Sequence, residues 1–87
     1  MTYAYAKALV GAQERNIKKV NGVRFTYKGY EFRVKYMGGF AAYVGIDYRE
    51  VGTRNFKYFG GVGGYKYWTA QAVLDAVMEE IIKKLGE

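Results

Sequence analysis

The sequence has 87 residues, 51% hydrophobic and 25% charged, with a net charge of +6 and no cysteine, histidine or proline. That length gives one domain, 1–87, burying roughly 60 to 65% of the surface its unfolded chain exposes, and the composition excludes a disordered chain. Without cysteine there is no disulfide framework and no thiolate site, and without histidine the commonest general base and metal ligand is missing, so we expect a binding protein with no metal and no cofactor rather than an enzyme.

The segment from Met1 to Val10 carries Lys7 and alternates Tyr with Ala, unlike a signal peptide, and no stretch approaches the roughly 20 apolar residues that span a bilayer. The expectation is a cytoplasmic protein without a membrane partner, in a host cytoplasm if phage-encoded, either a monomer or a small homo-oligomer. Thr2 to about Asn16 is alanine-rich and predicts a first helix. Asn21-Gly22 then marks a turn into a period-two stretch, with Val23, Phe25 and Tyr27 on one side and Arg24, Thr26 and Lys28 on the other. Lys28-Gly29 predicts a two-residue hairpin that sets Tyr30 opposite Tyr27 and extends the apolar face through Phe32, Val34 and Tyr36. A turn at Met37-Gly38-Gly39 would bring Phe40, Ala42, Val44 and Ile46 onto that face as a third strand, and Asn55 to Phe59 reads as a fourth.

Gly60, Gly61, Gly63 and Gly64 read as a flexible loop. It lacks the Gly-Lys-Ser/Thr ending of a phosphate loop and the dinucleotide spacing. The final segment repeats apolar residues at Ala70, Val73, Leu74, Val77, Met78, Ile81, Ile82 and Leu85, an amphipathic helix with Thr69 as N-cap and Gly86 as its stop. The predicted class is α+β in the order α-β-β-β-β-α: an N-terminal helix, an antiparallel three- to four-stranded meander, and a C-terminal helix packed on one sheet face.

No pair of carboxylates converges as general acid/base chemistry requires. The cations are more informative, with 12 Lys/Arg against 4 Asp/Glu up to Tyr67 and 2 against 4 from Trp68 onward, a balance of +8 and −2. Alternation predicts Arg24, Lys28, Arg33, Lys35 and Lys57 on the uncovered sheet face, interspersed with Ala41 and Tyr43 and diluted by Glu31 and Asp47. Arg54 and Lys66 add charge from the neighbouring loops. Phosphates on cations and bases or sugars on aromatic groups is the chemistry such a face suits. The ten tyrosines supply rigid, amphipathic contact area.

Gly39-Phe40-Ala41-Ala42-Tyr43-Val44, then Arg54 to Gly60, then Thr69-Ala70-Gln71-Ala72 follow one another in an order that resembles the AP2/integrase-type DNA-binding domain. That resemblance implies a three-stranded sheet whose exposed face enters the major groove, with Arg33, Lys35, Tyr43 and Lys57 near DNA. The leading helix also makes the topology similar to a double-stranded-RNA-binding domain, although no lysine cluster opens the last helix here. More loosely, the chain resembles small phage-encoded accessory or inhibitor proteins that block host nucleases or CRISPR effectors. With its positive charge, an inhibitor of that kind would take an acidic or nucleic-acid-bound protein as partner.

Overall fold

The computed structural model describes residues 1–63 and 69–86. In chain order these form α1 (Tyr3–Val10), a 3-10 turn (Ile17–Val20), β1 (Arg24–Tyr27), β2 (Tyr30–Gly38), β3 (Tyr43–Glu50), β4 (Lys57–Val62) and α2 (Ala70–Leu85). The strands build one antiparallel sheet in sequence order, so the architecture is the expected α+β arrangement with α2 on one sheet face. No described helix is long and apolar enough to cross a membrane.

The first hairpin follows directly from its residues. Tyr27 stands opposite Tyr30 and Phe25 opposite Phe32. Lys28 and Gly29 take φ of 51° and 84°, the doubly positive pattern whose twist matches that of the flanking strands. Phe25, Phe32, Val34, Val44 and Ile46 are then fully buried against Val73, Leu74, Val77 and Ile81 of α2, while Ala6 of α1 and Val20 close the ends of the core. Thr69 Oγ1 accepts from Ala72 N, and Gly86 ends the helix by donating to Ile82 O.

Four expectations need correction. The first helix stops at Val10 because Gly11 turns the chain with φ of 93°, after which Asn16 caps the separate turn that buries Val20. The second turn comes later than Met37-Gly38-Gly39: β2 runs on to Gly38, the register slips after Tyr36, and the reversal is closed by Ala42 N donating to Gly39 O. Phe40 therefore lies fully exposed on the turn, and β3 begins at Tyr43. The fourth strand is Lys57–Val62 rather than Asn55 to Phe59, so Gly60 and Gly61 belong to β4 and not to a loop. Glycine is needed at Gly61 for close approach, since a side chain there would meet the Tyr43 ring and the Val44 carbonyl, whereas one at Gly60 would clash only with the movable Lys84 ammonium.

Asp75 clasps α1 onto α2. It accepts from the Tyr3 hydroxyl and pairs with Lys7 Nζ at 2.9 Å, while Gln71 Nε2 donates to Lys7 O. Burial pushes the Asp75 carboxyl up, but the bonds from Tyr3 and Lys7 and the lysine charge outweigh it and hold the group below the usual carboxylate range. Burial and the Asp75 carboxylate push the Tyr3 phenol up. A carboxyl depressed by folding stabilises the native state above its unfolded pKa of about 3.9, and that contribution disappears as pH falls through the lower native value. Acidification from neutral pH to about pH 3 should therefore expose the α1 amides to hydrogen exchange before those of β2 and β3. Asp75→Asn should open α1 already at neutral pH and remove its acid dependence; α1 protection unchanged in both experiments would contradict the clasp.

Candidate nucleic-acid interface

Period two places Arg24 of β1, Glu31, Arg33 and Lys35 of β2, and Asp47 and Arg49 of β3 on the sheet face away from α2. Glu31 is directly opposite Arg49, and Arg33 is opposite Asp47. Arg49 Nη2 reaches Glu31 Oε1 at 2.7 Å, and Arg24 Nη1 lies 3.8 Å from Glu31 Oε2. Asp47 Oδ2 takes both Arg33 Nη2 at 2.9 Å and Lys35 Nζ at 3.0 Å. Each carboxylate thus serves two cations, and four cations against two acids leave the outer face at +2.

Phe56, just before β4, brings its ring to the same cluster. The guanidinium carbons of Arg33, Arg49 and Arg24 lie 4.1, 4.3 and 5.4 Å from its centroid. Arg24 and Arg33 are direct cross-strand neighbours, an arrangement of like charges that costs stability. The ring face and Glu31 offset that cost, since a cation over an aromatic face gains roughly 0.5 to 2 kcal/mol. Among the described residues Arg33 Nε is buried without a hydrogen-bond partner, and the guanidinium is held by Asp47 and Phe56. Burial raises the Asp47 pKa, but the bonds and charges of Arg33 and Lys35 prevail and keep the carboxyl below its ordinary range. It is ionised throughout the neutral range and engaged by its two cations.

Beyond this cluster the same face becomes aromatic. Tyr58 pairs in register with Asp47, and its hydroxyl lies 2.8 Å from that of Tyr43. That hydrogen bond, with partial burial, pushes the Tyr43 phenol up. Both rings are exposed, and Tyr43 covers the bare backbone of Gly61 while Met37 covers that of Gly45. Charged and aromatic halves meet at Asp47.

No protein-family model, curated protein or solved structure matches the chain.

Arg24, Arg33, Lys35 and Tyr43 stand on one face as predicted from alternation. Lys28 does not join them: its ammonium reaches Gly86 O at 3.3 Å, beyond the end of α2 on the core side. Lys57 is opposite Tyr48, which packs on Phe59 against the core, so it lies at the core-side edge of β4. The cause is an extra residue in β4: Ile46 pairs with Gly60 but Asp47 with Tyr58, and the bulge at Phe59 reverses the alternation before it. Ala41 lies in the turn before β3, Arg54 in the turn between β3 and β4, and Lys66 outside the described residues. Two members of the cluster escape the sequence reading. Arg49 follows Asp47 by two residues and shares its alternation, whereas Phe56 lies in irregular chain and carries no periodic signal.

Proposed function

We propose that this chain is a small, non-enzymatic binding protein that presents the outer face of its sheet to a nucleic acid. The observation that carries the reading is the joining, on one rigid face, of a net positive arginine-lysine cluster to the exposed tyrosine pair. Guanidinium groups held by Phe56 and a shared carboxylate lose little freedom on meeting phosphates, and exposed rings offer stacking surface to bases. Fluorescence-anisotropy titrations of duplex and single-stranded oligonucleotides should give affinity that falls linearly in log K against log salt. Absence of salt-sensitive binding to either would overturn this reading.

A second reading, a phage-type inhibitor that docks on a host nucleoprotein machine such as a nuclease or CRISPR effector, is favoured by the bare Phe40 and Met37 beside that face. Exposed apolar anchors next to a basic surface suit an acidic or nucleic-acid-bound protein partner. Affinity capture with and without nuclease separates the two, because a partner lost on digestion is held through nucleic acid and one retained is held directly.

A further inference from the structure

A hollow of about 350 Å3 lies at one end of the sheet. β3 runs to Glu50, but its last partner on β4 is Lys57, opposite Tyr48, so Arg49 and Glu50 extend past the edge of β4. The connecting turn folds back over the gap and is pinned at several points. Thr53 N and Oγ1 both donate to Glu50 O, Arg49 Nη1 donates to Arg54 O at 2.9 Å, and Val51 N donates to Gly29 O. The walls of the hollow are therefore fixed before anything enters it.

Its lining combines two kinds of chemistry. Tyr30 and Tyr48 meet edge to face with centroids 5.8 Å apart and both border the hollow. Arg54 and Lys57 border it too, and neither has a carboxylate within ion-pair distance among the described residues, although Glu50 is part of the lining. Arg49 is committed to Glu31 and to the turn. The volume is at the lower end of the roughly 300 to 1,000 Å3 of small-molecule sites.

We propose that this hollow holds a single nucleotide unit, its base against the tyrosines and its phosphate between Arg54 and Lys57. A simple anion would engage the cations and leave the aromatic lining unused, while an apolar ligand would leave both cations without a partner. A nucleotide satisfies both, and Asn55, which also lines the hollow, offers an amide donor and acceptor to a base edge. This rests on the nucleic-acid reading and adds that the protein takes an unpaired nucleotide, either free or from a single strand, at a point separate from the outer face.

The test is a two-dimensional amide NMR titration of the full chain with AMP, TMP, ribose 5-phosphate and inorganic phosphate, followed by a short oligothymidylate and a duplex. Mononucleotides should give saturable shifts at Thr53, Arg54, Asn55 and Lys57 by about 10 mM, which nearly fills a site of millimolar Kd, and inorganic phosphate should bind about tenfold or more weakly. Arg54→Gln with Lys57→Gln should weaken mononucleotide binding by about tenfold or more at an unchanged melting temperature, because charge-assisted contacts to phosphate are lost. Arg24→Gln with Lys35→Gln on the outer face should leave it unchanged. A single strand that shifts the same amides where a duplex does not assigns the site to unpaired strands; shifts by mononucleotides alone assign it to free nucleotides. No saturable shift with AMP or TMP, or phosphate binding as tightly as either, overturns the inference. Salt-dependent oligonucleotide binding at the outer-face amides, with no saturable shift at the hollow from any mononucleotide, would overturn the hollow and leave the proposed function standing.

Discussion

Phe32→Ala should lower the unfolding free energy by about 3 to 5 kcal/mol, a large share of the 5 to 15 kcal/mol typical of a domain. Phe32 is completely buried, stacked 5.8 Å from Phe25, edge-on to Phe59 at 5.3 Å, and 6.4 Å from Tyr30. Those contacts tie three strands together, because Phe25 belongs to β1 and Phe59 to β4. Alanine removes the ring and leaves a void that neighbours held in strands cannot refill by moving. Ile81→Ala should cost about 2 to 5 kcal/mol by the same mechanism from the helix side, where Ile81 is also fully buried. Urea unfolding measured by circular dichroism reads both effects, with an unchanged slope required for an effect on the native state alone. Phe32→Ala melting within a degree or two of the parent would contradict the ring cluster between the strands, and Ile81→Ala doing so would mean that α2 does not dock on the sheet as described.

The parts of this core that are legible in the sequence are those where one period persists. Val23 to Tyr36 alternates without interruption around a two-residue turn, so the Tyr27–Tyr30 pairing and the buried set Phe25, Phe32 and Val34 can be read directly. The apolar spacing of α2 is equally plain, although Leu85, the last residue of the stripe, is exposed at the end of the helix. Reading fails where one residue is added. The slip at Met37 displaces Phe40 from the core into solvent, and the bulge at Phe59 moves Lys57 off the outer face, because each extra residue exchanges the two sides of a strand. Neither bulge has a local sequence marker strong enough to override alternation. The charged half of the candidate face was legible in Arg24, Arg33, Lys35, Glu31 and Asp47, but its centre was not. Phe56 depends on how irregular chain folds over the sheet, which only tertiary contacts with three arginines decide. The hollow beneath the turn from Glu50 to Asn55 was hidden for the same reason, since it exists only because β4 joins β3 late.

Replacing Arg24, Arg33 and Lys35 together by glutamine should abolish oligonucleotide binding, because the change reverses the sign of the face rather than merely weakening it. Four cations against two acids become one, Arg49, against Glu31 and Asp47, so +2 becomes −1. A hydrogen bond to a charged group contributes about 1.5 to 3 kcal/mol, and a micromolar complex holds together by only about 8 kcal/mol. Losing three such contacts therefore removes most or all of a micromolar affinity. For variants that still bind, each lost phosphate contact should reduce the slope of log K against log salt by about 0.9 on duplex DNA, or about 0.7 on a single strand. Arg33 also neutralises the buried Asp47, so the triple variant's melting temperature must be measured beside its binding. Arg24→Gln with Lys35→Gln avoids that difficulty, since both side chains are about half exposed and Arg33 remains on Asp47. This double variant should keep the parent's melting temperature within a few degrees, lose about two units of salt slope on duplex DNA, and bind much more weakly. Glu79→Gln, exposed on α2 and far from the cluster in the layering, should leave binding unchanged or slightly stronger. A double variant that binds with the parent's affinity and salt slope would show that the outer face is not where the phosphates sit, and the protein-directed reading through Phe40 and Met37 would take its place.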